Sequence, residues 1–276
     1  MTANDRWNFG SSVFVAQTLS QHIVTTGDAS PLAALAQLSP KPSAAAVKFG
    51  GDWGGLWGTP STWGQLSPKS AAPPPVPIVP YLYLLPQHID AYPAMIGGLF
   101  ADGYPAVILD VEMEWAGHEL ELADLLDQLN LADNLIGVCG YAWYEGWPDK
   151  GLAMAAALKG KDIVYMPMAY AGVGWATPTP VDTIARELAR VVPTQHRAYI
   201  FDGAALDEGW SRDLAAGSKP SWYWHMSTLT IPRWSYLTDQ PQPSDASAKV
   251  VLEKVRQKLV DLSNQLDDIA TLAGKA

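Results

Sequence analysis

The chain has 276 residues, of which 48% are hydrophobic, so it can bury one large domain or two average ones. Its net charge of −10 at pH 7 argues against nucleic acid and against an anionic membrane surface as partners. The N-terminal sequence MTANDRWNFGSS lacks the features of a secretory signal, and no apolar run is long enough to span a membrane. We therefore expect no membrane partner. The location stays open between the cytoplasm and release by another route, such as a phage or a dedicated export system.

Apolar segments alternate with helical patterns along most of the chain. The first strand is predicted over 12–17 or 22–25, and the later ones over 44–50, 77–85, 105–114, 135–141, 162–170, 197–202 and 221–226. Helices are predicted between them over 91–101, 119–131, 151–159, 181–191 and 208–216. Such alternation is typical of parallel strands with crossover helices. With about eight units, it predicts an α/β fold, a (β/α)8 TIM-type barrel over residues 1–240.

The pattern changes after the predicted barrel. Residues 245–276 predict a C-terminal helical extension, whose apolar residues follow a heptad spacing: Leu252, Val255, Leu259, Leu262, Leu266 and Ile269. This helix is either the last barrel helix or a short coiled coil that joins the chain to an oligomer or an assembly partner.

Three carboxylates occupy alternate positions at the end of the strand predicted over 105–114. In a strand Asp110, Glu112 and Glu114 would point to one face, where like charges raise the pKa of at least one of them. This arrangement favours acid/base chemistry. Glycoside hydrolysis needs a protonated carboxyl and a second group that stabilises or attacks the oxocarbenium-like centre, and the spacing allows either stereochemical outcome. A metal site that includes His118 and a non-catalytic acidic strand end are the alternatives.

Tyrosines, tryptophans and acids also stand at or near the other predicted strand ends. Their rings would stack on sugar faces and their polar groups would bind hydroxyls, which predicts a polysaccharide or oligosaccharide partner. The predicted substrate-binding residues are Tyr81, Tyr83, Tyr141, Trp143, Tyr170, Asp202, Trp222 and Trp224. No phosphate-binding glycine loop is present, and the remaining histidines have no metal-ligand spacing, so we expect neither a cofactor nor a metal. Cys139, the single cysteine, is expected to be an inert buried thiol.

Several of these segments resemble a known enzyme family in order and spacing. Residues 107–112 (VILDVE) resemble the strand-four D-x-E motif of the lysozyme-like glycoside hydrolase family 25, and segments 79–83, 137–143 and 224–227 resemble its further strands. The resemblance implies a TIM barrel that cleaves a β-1,4 bond of peptidoglycan. It also implies that Glu112 is the general acid and Asp110 its partner.

A weaker resemblance connects residues 110–115 with strand four of the chitinase-like family 18, in which Glu114 would be the proton donor. Segment 165–170 and the last-strand tryptophan are similar to further positions of that family. The alternative to an enzyme is a non-catalytic carbohydrate-binding or structural module on a degenerate barrel. It is favoured because the acidic strand-one motif of family 25 is missing.

Overall fold

The structure is a computed structural model of the chain. It describes residues 3–7, 9, 12–15, 41–50, 66–141, 148–169, 188, 190–192, 197–202 and 219–224, and every structural statement below concerns these residues. None of the helices in this part is long and apolar enough to cross a membrane.

Eight strands, all parallel, follow one another around the sheet in chain order. They are β1 (Ser12–Val15), β2 (Ala45–Gly50), β3 (Ile78–Leu84), β4 (Val107–Val111), β5 (Ile136–Tyr141), β6 (Val164–Ala169), β7 (Ala198–Asp202) and β8 (Lys219–Trp224). The α-helices are α1 (Ala3–Arg6), α2 (Tyr92–Ala101), α3 (Glu119–Asp127) and α4 (Pro148–Ala157). Two 3-10 helices, Pro86–Ala91 and Met113–Trp115, follow β3 and β4.

Five successive strands, β2 to β6, form an unbroken run of long ladders, with a register shift between Lys48 and Gly50 where β2 pairs with β3. Each of their ladders pairs four or five residues, whereas β6 and β7 pair through two residues, and so do β8 and β1, whose contact completes the circle. Helices α2, α3 and α4 follow β3, β4 and β5, while the connections after the other strands lie wholly or largely outside the described residues.

The predicted fold class therefore needs correction. The (β/α)8 TIM-type barrel with a C-terminal helical extension required eight regular strand–helix units. The described residues instead form an all-parallel α/β sheet whose run of long ladders covers five strands, β2 to β6, with short contacts between β6 and β7 and between β8 and β1. A TIM barrel is not confirmed by this arrangement. The predicted helices over 181–191 and 208–216 fall on segments that are wholly or largely outside the described residues.

Alternate strand residues pack into two separate cores, as the two-residue period of a strand requires. Outward residues such as Leu82 and Leu109 pack with apolar residues of the helices, among them Ile96 and Leu122. The inward residues of successive strands form the second core: Ala46, Tyr81, Ile108, Cys139 and Met166. Because both faces are covered, the strands read as apolar runs in the sequence.

The segment before β1 fills part of the interior of the sheet. The rings of Trp7 and Phe9 are 5.1 Å apart, and both pack against Trp222 of β8, at 6.0 and 5.9 Å between ring centroids. The segment is anchored by Arg6, whose guanidinium donates a 2.6 Å hydrogen bond to the carbonyl of Leu131. This aromatic cluster supplies volume that the small inward residues of β2 leave open.

The chain divides into two compact units, Met1–Thr238 and Asp239–Ala276. The second unit lies outside the described residues, so the coiled coil or last helix predicted over 245–276 stays a prediction.

Candidate active site

The acidic segment does not continue as a strand through all three carboxylates. β4 ends at Val111, and Glu112 precedes the 3-10 helix Met113–Trp115. The indole of Trp115 is buried and donates a 2.8 Å hydrogen bond to the carbonyl of Leu84 at the end of β3, which turns the chain over that strand. The expectation that three acids share one strand face is therefore wrong for Glu114.

Asp110 lies inside the sheet and is only 2% exposed. The hydroxyl of Tyr81 donates a hydrogen bond to its Oδ2, while its Oδ1 makes no hydrogen bond within the described part of the chain. Burial raises the pKa of Asp110 from 3.8 to about 7, against the opposing effects of the Tyr81 hydrogen bond and the charge of Lys48. This carboxyl therefore keeps its proton to a much higher pH than an exposed aspartate does.

Glu112 and Glu114 lie nearer to solvent than Asp110. Glu112 is half-buried, and its extended backbone (φ −100°, ψ −161°) leaves its side chain on the side of Asp110, two residues before it. Glu114 is exposed and accepts a 3.0 Å hydrogen bond from the hydroxyl of Tyr83. Burial raises the pKa of Tyr83, and the charges of all three acids raise it further. Tyr83 thus binds Glu114, while Tyr81 of the same strand binds Asp110.

Two further residues complete the site, although the sequence interpretation gave them no role. Lys48 of β2 places its ammonium 5.9 Å from the ring centroid of Tyr81 and 5.1 Å from that of Tyr83. Cys139 of β5 is paired in register with Asp110, and burial raises the pKa of its thiol well above the ordinary value. The sequence contained a signal for both residues in the alternation of inward and outward positions along a strand. Lys48 and Cys139 occupy inward positions of apolar strands, where a charged or reactive side chain is unusual.

The remaining predicted substrate residues are placed unequally. Tyr81 is 2% exposed and Trp222 is fully buried against Trp7, so neither presents a ring face on which a sugar could stack. Tyr83 is partly exposed. Three predicted residues end strands β5, β7 and β8, but the structure describes only their backbone: Tyr141, Asp202 and Trp224. Trp143 and Tyr170 lie outside the described residues.

The described residues offer no metal centre. His118, the predicted nitrogen ligand of the metal alternative, has its Nδ1 3.0 Å from a carboxylate oxygen of Glu121 on α3. Within the described ranges, no group of three or more histidine, cysteine, aspartate or glutamate side chains is arranged to hold a metal ion.

Comparison with known proteins identifies a similar fold but does not assign the chain to a family. No family model matches the chain, and neither does any curated protein. Among solved structures, the chain is similar to a DUF72 family protein from Enterococcus faecalis V583, with a TM-score of 0.50 and 10% identity, over 84% of this chain and 96% of that chain. At this identity the similarity concerns the fold alone.

The comparisons correct the family assignment. They support neither glycoside hydrolase family 25 nor family 18, so the resemblance drawn from short motifs is wrong. The motifs are a few residues long, and an acid after an apolar strand recurs in unrelated α/β proteins because polar groups collect at the carboxyl ends of parallel strands.

Proposed function

We propose that the chain is a glycoside hydrolase-like enzyme that cleaves a β-1,4-linked amino-sugar polymer such as peptidoglycan, with the carboxylates at the end of β4 and directly after it. The observation that carries this proposal is a pair of acids held by tyrosines of β3, Asp110 by Tyr81 and Glu114 by Tyr83, with Glu112 between the two acids in the chain. Cleavage of a glycosidic bond requires a proton donor at the leaving oxygen and a negative charge near the oxocarbenium-like centre. A site with three carboxyls at graded depths supplies both.

The burial of each acid suggests its role. Asp110 holds a proton near neutral pH because it is buried, and Tyr81 fixes one of its oxygens. Glu112, two residues further along and partly exposed, is assigned as the group that passes the Asp110 proton to the leaving oxygen. Water that adds to the sugar then returns a proton to the site. Glu114, oriented by Tyr83, is assigned as the carboxylate that stabilises positive charge on the sugar.

The test is the release of reducing ends from peptidoglycan. We expect the Glu112→Gln variant to lose at least about 100-fold in rate, the typical contribution of general acid catalysis. The matched control is Glu121→Gln, on the exposed face of α3, which should retain the wild-type rate. Equal rates for wild type and Glu112→Gln would overturn the assignment of Glu112, and a wild-type chain that releases no reducing ends would overturn the proposed activity.

A non-catalytic carbohydrate-binding or structural module is the second candidate. It is favoured by the burial of Asp110 and Tyr81, which keeps both away from direct contact with a polymer. In that case the chain would sediment with insoluble peptidoglycan without releasing sugars, and Glu112→Gln would sediment to the same extent. Release of sugars by the wild type, but not by Glu112→Gln, would exclude this candidate.

A further inference from the structure

We propose that Lys48 is a positioning residue of the carboxylate site, whose ammonium group rests against Tyr81 and Tyr83 and directs their hydroxyls to Asp110 and Glu114. Its effect on catalysis rests on the proposed function, but its effect on the buried carboxyl does not.

The position of Lys48 in the sheet is unusual for a lysine. It lies on β2, in register with Tyr81. In the two-residue alternation of the strand, it points to the same side of the sheet as the buried residues Ala44 and Ala46. The side chain of Lys48 is half-buried, so it loses part of its hydration, which is unfavourable unless other groups compensate for its charge. The distances of 5.9 and 5.1 Å from its Nζ to the two ring centroids are within the range of cation–π attraction. The phenol rings therefore supply part of that compensation.

The two rings connect Lys48 to acids at different depths. The Tyr81 hydroxyl donates to buried Asp110, and the Tyr83 hydroxyl donates to exposed Glu114 at 3.0 Å. A cation on the faces of both rings favours the ring orientations seen here, and it makes each phenol a better donor by withdrawing electron density. Loss of the charge is therefore expected to loosen both hydrogen bonds together.

Asp110 reports this effect because described ionisable groups of three neighbouring strands surround it. These groups are Lys48 from β2, Tyr81 and Tyr83 from β3, Glu112 and Glu114 after β4, and Cys139 from β5. Among the causes that act on Asp110, the charge of Lys48 lowers its pKa, as the Tyr81 hydrogen bond does. Removal of the lysine charge should raise this pKa both directly and through a weaker Tyr81 hydrogen bond.

The experiment is a pH titration of the Asp110 carboxyl by NMR of aspartate labelled with carbon-13 at the side-chain carboxyl, with the Asp110→Asn spectrum used to identify the resonance. We expect Lys48→Met to raise the midpoint by about one pH unit, as for loss of an opposite charge nearby. Lys48→Arg should restore the wild-type midpoint, and Lys41→Met, at an exposed lysine before β2, should leave it unchanged. An unchanged midpoint in Lys48→Met overturns the proposal.

Folding of the variants decides the remaining cases. If Lys48→Met does not fold, Lys48→Gln provides the same titration with a neutral polar side chain. Failure of both neutral variants, with Lys48→Arg folded, supports the need for a positive charge. Failure of all three overturns the proposal, because the length of the lysine and not its charge is then what the sheet requires.

The result is separate from the proposed enzyme activity. The titration needs no substrate, so a chain that fails to cleave any polymer can still show the midpoint shift. If the chain cleaves peptidoglycan, Lys48→Met should shift the pH profile of kcat/KM in the same direction as the Asp110 midpoint. A fall in rate without that shift would indicate general damage and would contradict positioning.

Discussion

Replacement of Asp110 by asparagine tests how strongly the sheet interior disfavours a charged carboxyl. Burial raises the pKa of Asp110 from 3.8 to about 7 in the folded chain, while the unfolded chain keeps the ordinary value. Between these two values the folded state holds a proton that the unfolded state has released, so the free energy of unfolding falls as the pH rises. At about 1.4 kcal/mol for each pH unit, the free energy of unfolding falls by roughly 4 kcal/mol between pH 4 and pH 7. Above pH 7 this carboxyl causes no further fall.

Asparagine has nearly the same size, accepts the Tyr81 hydrogen bond and does not ionise. In urea unfolding at several pH values, the stability of Asp110→Asn relative to wild type should increase by roughly 4 kcal/mol from pH 4 to pH 8. Asp124→Asn, at an exposed position of α3, is the matched control and should show no such trend. A difference between Asp110→Asn and wild type that stays constant within about 1 kcal/mol would refute the reasoning.

Three further substitutions test the packing around the site by urea unfolding. Gly137→Ala should lower the free energy of unfolding by about 1–3 kcal/mol, because the new methyl would lie 2.6 Å from the sulfur of Met166 and 2.8 Å from the ring of Trp7; unchanged stability would contradict the placement of Trp7. Gly97→Ala in α2, where the new methyl would meet no described atom within 4 Å beyond its chain neighbours and its own helix backbone, should instead raise the free energy of unfolding by about 0.5–1 kcal/mol. A loss of stability in this variant would contradict the helix. Trp115→Phe should lower it by about 1–3 kcal/mol through a lost hydrogen bond and a small cavity, and equal stability would show that this bond does not hold the turn after β4.

The strands of the regular part of the sheet could be predicted because their sequences are apolar on both faces. The segments predicted over 44–50, 77–85, 135–141 and 162–170 contain β2, β3, β5 and β6 within a few residues. Such runs are short, rich in β-branched and aromatic residues and bounded by glycine or proline, which distinguishes them from helices. Local pattern does not determine how regularly the outer strands pair, and this is where the predicted eight-unit barrel went too far.

The segment after β4 shows a local rule overridden by a distant contact. Alternation of acids predicted a strand to residue 114, but the buried Trp115 binds a carbonyl of β3 and the chain turns after Val111. Likewise, a four-residue helix and the buried Trp7 behind it have no periodicity that could predict their insertion into the sheet. Trp222, predicted to bind sugar, contacts that insertion instead. Long-range packing of single aromatic residues decided these positions.

The charges of the site are consistent with the proposed chemistry when counted over the described residues. Asp110, Glu112 and Glu114 can carry three negative charges, and Lys48 carries one positive charge against the adjacent phenols. Because burial raises the pKa of Asp110 to about 7, this carboxyl holds a proton below that pH and the three acids then carry at most two negative charges. The sum with Lys48 is a single negative charge, opposite in sign to an oxocarbenium-like centre. Loss of the Lys48 charge would leave two negative charges at the site. These charges would favour retention of the proton by Asp110 over its transfer to a leaving group.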